Sequence, residues 1–375
     1  MRDWFFVTPE YPPEGAGVAD YARQIAAALG AQGEKVEVFS PGGKEGFSAD
    51  PGVTTHALPD RFGHASRRAL GRALRERPNA IIVLQYVPQP FGLKGLNLPF
   101  FGWLCARRQP LWIMFHEVVY PFVPGDPLRR KVLAAGTRAS LALLGTRADR
   151  AFVSIPGWIP HLKSWARLRN EPIWAPVPTN LPLTPLLPHD AARASVGIDP
   201  GEVVLAIFGT LSHGVAEPLL AALPELLGGH PERRLLLIGR NSREFAARVA
   251  AQEPSFFSRV LPSGKVDRQT AADLLAASDL AIYPFVDGAS GRRTSLMAAL
   301  ALGVPVLTTE GALSEPLWRE SGAVSLTPAG YPSAFAARAD EILGDPAARE
   351  ALGRAGKAFY EQHFALERVL AHFLS

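Results

Sequence analysis

The sequence predicts an α/β protein built from two doubly wound parallel-sheet domains facing each other across a cleft. Three observations carry that expectation. The chain has 375 residues, well beyond the roughly 150 residues of an ordinary domain. Short β-branched or aromatic runs alternate with amphipathic stretches, the pattern of parallel strands joined by helices. A proline-rich tract, PIWAPVPTNLPLTPLLP at 172–188, divides the series in two.

In chain order, the first half predicts strands near 4–8 (WFFVT), 35–40 (KVEVFS), 80–85 (AIIVLQ), 111–116 (LWIMFH) and 150–154 (RAFVS). Helices fill the gaps. The best defined covers 17–30, where Val18, Tyr21, Ile25, Ala28 and Leu29 recur on one helical face. A second, rich in Ala and Leu, covers 127–146. The proline tract cannot continue a helix and suits a semi-rigid connector. A second series follows, with strands near 203–209, 234–239, 258–262, 279–284 and 304–308. Helices are expected near 215–228, 242–251, 268–277 and 292–302, and the tail from 331 reads as helices only. The expected division is a first domain over 1–182, a linker over 183–200, a second domain over 201–350, and a final helix in 351–375 packing back on the first domain.

Composition removes several classes of function. The single cysteine, Cys105, excludes an internal disulfide framework or a cysteine-built zinc site and favours a reducing, cytoplasmic compartment. The start, MRDWFFVTP, meets an acid and a proline too early for a signal peptide and reads as the first strand. Of the two longest uncharged stretches, one is crowded with prolines. The other, TSLMAALALGVPVLTT, is broken by Gly303 and Pro305 and is too short for a bilayer. There is no Asp-x-Asp triplet and no His/carboxylate cluster at ligand spacing, so no metal or other cofactor is expected.

Charge is unevenly shared. Residues 1–180 carry 22 Lys/Arg against 14 Asp/Glu, while the remainder carries 17 against 21. The excess gathers at Arg61, Arg67, Arg68, Arg72, Arg75 and Arg77, and at Arg129, Arg130 and Lys131. Such patches suit a peripheral anionic membrane surface or a phosphorylated acceptor, or are simply a solvated helix face. Nucleic acid is not expected, because no recognition module or interleaved aromatics accompany the charge.

Open parallel sheets bind ligands beyond the carboxyl ends of their strands, which locates the candidate residues. Glu10, Gly15 and Gly17 lie between the first strand and helix, where glycines and unpaired helix amides can approach an anion. His116, followed by Glu117, ends an apolar strand, so its imidazole is expected to point toward the cleft. The segment Asp287-Gly288-Ala289-Ser290-Gly291-Arg292-Arg293 precedes an apolar helix. Two arginines at a helix start repel the helix dipole. They make sense if an anion sits between them and the loop, because guanidinium forks bind phosphate bidentately. Further turns at Gly209-Thr210-Leu211-Ser212-His213, Gly239-Arg240 and Gly264-Lys265 would rim the same cleft.

The assembled pattern resembles the retaining glycosyltransferases of family 4, which have the GT-B fold of two Rossmann-like domains. The resemblance rests on PEYPPEGAGVADYARQIAAAL in the first half, and on FGTLSHG, LLLIGR, VDRQTAADLLAASDLAIYPF and ALALGVPVLTT in the second. It implies a nucleotide-diphosphate sugar as donor substrate, held mainly by the second domain, and a glycan or lipid-linked acceptor held by the first. Polysaccharide or lipid-glycan synthesis on the inner side of the membrane is the implied setting. The family's E-x7-E glutamates fall here on Ser290 and Ala298, and its basic pair on Thr210 and His213. Arg292 and Arg293 would restore the positive charge, Asp287 would take over as acceptor for a sugar hydroxyl, and His116 would position the sugar. Tyr86, Asn97, Glu10 and Glu117 would shape the acceptor pocket. The altered motifs leave a second reading open, a non-catalytic protein that binds sugar nucleotides, and a third, a sugar-nucleotide epimerase of the same fold.

Overall fold

The structure is a computed structural model describing residues 1–12, 17–41, 50–122 and 124–375. The chain divides into two units: Met1–Val177 with Leu366–Ser375, and Pro178–Ala365.

The first unit runs β1 (Asp3–Val7), α1 (Gly17–Ala31), β2 (Lys35–Ser40), β3 (Val53–Ala57), α2 (His64–Glu76), β4 (Ile81–Tyr86), α3 (Leu98–Cys105), β5 (Leu111–Phe115), α4 (Leu128–Arg147), β6 (Arg150–Val153), α5 (Trp158–Trp165) and β7 (Ile173–Trp174). The strands form one sheet in the order β3-β2-β1-β4-β5-β6-β7, parallel throughout. Apolar runs such as LWIMF are buried on both faces, as a helix-covered parallel sheet requires. Alternate side chains enter different layers. Phe5, Val7, Ile113 and Phe115 join one core cluster, while Trp4, Phe6, Trp112 and Met114 join the other. The helix Leu366–Leu374 closes the second cluster with Val369, Leu370 and Phe373, the last stacked on Phe152 at 4.8 Å.

The second unit contains α6 (His189–Ala194), β8 (Val203–Phe208), α7 (His213–Leu227), β9 (Arg233–Ile238), α8 (Ser242–Gln252), β10 (Val260–Pro262), α9 (Arg268–Ala276), β11 (Leu280–Tyr283), α10 (Thr294–Leu302), β12 (Val306–Glu310), α11 (Pro316–Ser321), β13 (Ser325–Pro328), α12 (Pro332–Gly344) and α13 (Pro346–His363); the helix already described in the first unit is α14 (Leu366–Leu374). Its sheet order is β10-β9-β8-β11-β12-β13, again parallel. In each sheet the order reverses beside the unit's first strand, which makes the crevice beyond β1 and β4, and that beyond β8 and β11, the ligand-binding positions of this topology.

The structure adds strands that the apolar pattern did not predict. β3 and β13 are edge strands with half-exposed sequences, VTTHA and SLTP, so neither presents a continuous apolar run. The helix expected from 292 begins at Thr294, leaving both arginines in the preceding loop. The segment 183–200, expected as a linker, is fastened into the second unit through α6. Arg193 is buried there, donating to the carbonyls of Ala277 and Glu202 and pairing with Asp279 at 2.7 Å. Among the described residues no helix is long and apolar enough to cross a membrane.

Candidate active site

The second unit concentrates charged groups at the carboxyl edge of its sheet. β11 ends at Tyr283, whose hydroxyl donates to Ser295 O of α10 at 2.9 Å. The chain then turns through Phe285–Arg293. Thr309 Oγ1 donates to Phe285 O at 2.5 Å, Leu313 N to Asp287 O at 2.9 Å, and Ala289 N to Thr309 O at 2.8 Å, so the loop is tied to β12 and the segment after it. Gly288 has φ +86°, and its α-carbon lies against the backbone of Gly311, where a β-carbon would collide. Only glycine satisfies both conditions.

This fixed loop brings Arg292 and Arg293 onto one carboxylate. Arg292 Nη2 lies 3.1 Å from Asp287 Oδ2, and Arg293 Nη2 contacts Asp287 Oδ1. Arg293 also lies over the Phe285 ring, 4.3 Å from its centroid, a cation–π contact that holds the guanidinium in place. All three charged side chains are about three-quarters buried. Ser290, at a family glutamate position, is fully buried and its hydroxyl has no hydrogen-bond partner. Ala298, at the other, is buried in α10.

Glu315 is the functional candidate that sequence reasoning missed. It stands at the start of α11 without capping that helix. Its carboxylate instead accepts from Gly291 N at 2.9 Å and from Trp318 Nε1 at 2.6 Å. The residue is 6% exposed, and burial raises its pKa above the ordinary glutamate value, opposed by those two hydrogen bonds and by the Arg292 charge. Glu315 therefore braces the loop from beneath, immediately before the first arginine. An acid followed by proline after a strand-ending small-residue loop was the available signal. It reads as an ordinary helix start.

The other turns of this edge are less engaged. Gly209 backs onto Ser295 of α10, and Val286 N donates to Gly214 O at 3.2 Å, so the first turn of α7 touches the arginine loop. Thr210 is exposed, and so is His213, which pairs with Glu217 at 3.2 Å. Arg240 and Lys265 are exposed beyond β9 and β10.

The first unit presents neutral groups at the corresponding edge. His116 follows β5 and is 7% exposed, with Nε2 2.8 Å from Gln85 Oε1 and the Tyr21 ring edge-on at 4.9 Å. Its carbonyl accepts from Ser154 Oγ and Trp158 Nε1. Burial pushes its pKa down to about 3, so the imidazole is neutral and donates to Gln85 through Nε2. With that N–H engaged, the remaining ring nitrogen, Nδ1, can accept a hydrogen bond but supplies no charge. Glu10 is half-buried beyond β1, where its carbonyl accepts from Thr8 Oγ1 at 2.8 Å, and Glu117 is exposed. Gly17 is the exposed first residue of α1, while Gly15 lies outside the described residues.

Tyr86 and Asn97 are internal. Tyr86 is enclosed by Phe91, Phe101 and Phe115. Asn97 caps α3 by accepting from Phe100 N at 3.1 Å, and its amide donates to Phe91 O at 2.8 Å and Phe62 O at 3.3 Å. A long loop of polar and aromatic residues suggested an acceptor pocket, but these two side chains are spent on holding that loop closed. Among the described residues no group of three or more His, Cys, Asp or Glu side chains is placed to hold a metal ion.

Two family models match the chain: a "Glycosyl transferase 4-like domain" over residues 16–173 and "Glycosyl transferases group 1" over residues 202–345. The chain is 26% identical to a GDP-mannose-dependent monoacylated alpha-(1-6)-phosphatidylinositol monomannoside mannosyltransferase of Corynebacterium glutamicum, over 98% of this chain and 95% of that protein. Its fold is similar to the sucrose-phosphate synthase of Thermosynechococcus elongatus, with a TM-score of 0.77 and 20% identity over 100% of this chain and 97% of the other. It is also similar to HepE of Anabaena in complex with UDP, with a TM-score of 0.73 and 15% identity over 100% and 98% of the two chains.

Proposed function

The chain belongs to the GT-B glycosyltransferases of the family 4-like type, and from that premise we propose that Arg292 and Arg293 grip the diphosphate of its nucleotide-sugar donor. The enzyme moves a sugar from such a donor. One observation carries it: two guanidinium groups converge on the single carboxylate of Asp287 at the switch point of the second sheet.

The chemistry follows from charge. Breaking the bond between the anomeric carbon and the diphosphate oxygen leaves electrons on that oxygen and positive charge on the sugar. Guanidinium groups held by Phe285, Asp287 and the Glu315-braced backbone would stand close to the new negative charge, with reorganisation confined to their contacts with Asp287. Arg292 and Arg293 would stabilise that charge without a metal ion. The backbone at Gly209, Gly288, Ser290 and Gly291 would lie along the diphosphate. Thr210, His213, Arg240 and Lys265 would contact the donor at the rim. Asp287 would exchange one arginine for a sugar hydroxyl.

For retention of configuration the acceptor oxygen bonds to the anomeric carbon on the face that the diphosphate leaves. Its proton passes to the departing phosphate oxygen, and no protein nucleophile takes part. The neutral His116, with Glu10 and Glu117, would then meet uncharged hydroxyls in the first unit. The acceptor is proposed to be a glycan or a lipid-linked glycan. The basic first unit would hold the enzyme at an anionic membrane surface on the cytoplasmic side, a reading supported by the charge asymmetry of the chain.

The test is to measure melting temperature with GDP, UDP and ADP, and then turnover of the matching nucleotide sugars. A ligand selective for the native state raises the midpoint. Arg292→Ala with Arg293→Ala should abolish the shift produced by the effective nucleotide. An undiminished shift would refute the phosphate role.

A further inference from the structure

A second cluster of arginines differs from the first in that, among the described residues, no carboxylate is paired with it. A groove of about 490 Å³ runs along the outside of α2, lined by Arg67, Arg68, Arg72, Arg75, Trp103 and Arg107. Several arginines elsewhere in the chain find a carboxylate: Arg23 pairs with Asp50, Arg147 with Asp149, Arg193 with Asp279 and Arg233 with Asp340. Among the described residues none of the five groove arginines is in an ion pair. Arg67 and Arg107 donate only to main-chain carbonyls, Gly63 O at 3.2 Å and Trp103 O at 3.1 Å. The nearby carboxylate of Asp60 is occupied by the amides of Gly63, Ala65 and Ser66 at the start of α2.

The groove is shaped as well as charged. Gly71 lies on its floor, and a β-carbon there would stand 3.3 Å from Trp103 Cζ2 of α3, so the missing side chain lets the indole pack against α2. The Arg107 guanidinium lies over that indole, 4.7 Å from the ring centroid. Residues 68, 72 and 75 share one face of α2 by helical spacing, and Arg67 and Arg75 flank Gly71 at four-residue intervals. Five like charges, four on α2 and one just beyond the end of α3, repel one another, a cost that an anion with several oxygens removes by accepting paired N–H groups from each fork.

We infer that this groove is a binding site for a phosphorylated group, a phosphate monoester or diester, separate from the donor's diphosphate site. The inference rests on the proposed anionic, lipid-linked partner of the first unit and assigns that partner's phosphate to particular residues. Topology separates the groove from the reaction. α2 and α3 both run from the carboxyl to the amino edge of the sheet, so Arg72, Arg75 and Arg107 lie toward the amino edge, whereas His116 lies at the carboxyl edge. The volume exceeds what a bare phosphate fills and leaves room for the attached polyol.

The test uses the full chain and two probes, phosphatidylcholine vesicles containing phosphatidylglycerol and soluble glycerol 3-phosphate. Two variants remove the same charge from different places: Arg68→Gln/Arg72→Gln/Arg75→Gln in the groove, and Arg129→Gln/Arg130→Gln/Lys131→Gln at the start of α4. All six side chains are exposed, so both variants should melt with the parent. The groove variant should lose vesicle binding by about a hundredfold, from three basic residues at an anionic surface, and should abolish any stabilisation by glycerol 3-phosphate. The control should change either by no more than about twofold. Hydrolysis of the nucleotide sugar should be unaltered in both. Vesicle binding alone identifies a lipid headgroup, and a glycerol 3-phosphate response alone identifies a soluble phosphorylated partner; either supports the site if the groove variant removes it. Equal losses in the two variants would show diffuse charge and overturn the groove while preserving membrane attachment. A parent that responds to neither probe would overturn the groove, and donor-induced stabilisation would still report separately on the glycosyltransferase site.

Discussion

At the carboxyl edge of the first sheet stands a neutral histidine hydrogen-bonded to a glutamine, and at that of the second stand two arginines on one aspartate. Both edges arise from one order of six strands, to which the first sheet adds β7 at its far edge, so topology alone does not distinguish them. The loops do. In the first unit, burial removes the charge from His116. In the second, a fixed backbone and a buried glutamate hold charge where the helix dipole would otherwise reject it. The contrast supports the proposal that the second unit binds the anionic half of the sugar nucleotide and the first recognises hydroxyls.

The largest expected effect tests the charged side. Arg293→Ala should lower kcat/KM by about 2–4 kcal/mol of transition-state stabilisation, the scale of losing one oxyanion donor, with little change in melting temperature. The same substitution would matter little if the diphosphate bound elsewhere, and steady-state kinetics with the active donor decides it.

Removing the brace comes next. Glu315→Ala leaves Gly291 N and Trp318 Nε1 buried without their acceptor and should cost about 1–3 kcal/mol of stability, read by denaturant unfolding. Glu315→Gln keeps the shape and isolates the charge. Because the folded carboxyl has a raised pKa, its stabilising contribution is present below the ordinary glutamate range and fades as pH rises through the folded value. The melting temperature of the parent relative to Glu315→Gln should therefore fall as pH rises through that window. A flat difference would show that the carboxyl is not strained by burial.

The neutral side titrates in the opposite sense. A histidine whose folded pKa is about 3 contributes stability that is present above the ordinary histidine value of about 6.5 and is lost as pH falls toward 3. His116→Gln should make acid unfolding less steep across that interval, while costing about 0.5–1.5 kcal/mol near neutrality for the altered hydrogen bond. Unchanged acid sensitivity would mean that His116 is hydrated and charged, and the contrast between the two edges would disappear.

How much of this was legible in the chain depends on how local the cause is. The buried strands were legible because LWIMF or VVLAIF can sit only in a covered parallel sheet. β3 and β13 were not, because an edge strand is stabilised by one neighbour and needs no apolar run. The arginine loop was legible from its charge conflict with α10. Glu315 was not, since it meets Gly291 from 24 residues away and resembles an ordinary helix start. Asn97 and Tyr86 had the residue types of a sugar site, and only the packing of Phe62, Phe91 and Phe101 around them reveals an internal role.

The smallest expected effect sharpens the charged side. Asp287 neutralises two guanidinium groups while also being the proposed acceptor for a sugar hydroxyl, and these tasks respond differently to Asp287→Asn. As a competitor of the diphosphate, the carboxylate weakens nucleotide binding, so its neutralisation should tighten the free nucleoside diphosphate by up to about 1 kcal/mol, the range for a partly exposed ion pair. As a sugar contact it strengthens the donor, so the nucleotide sugar should gain less or lose affinity. Titrating both ligands calorimetrically against the parent and the variant separates the two. Equal tightening of both would leave Asp287 as a counter-ion alone, and the hydroxyl of the sugar would then be held by some other group at the edge of the second sheet.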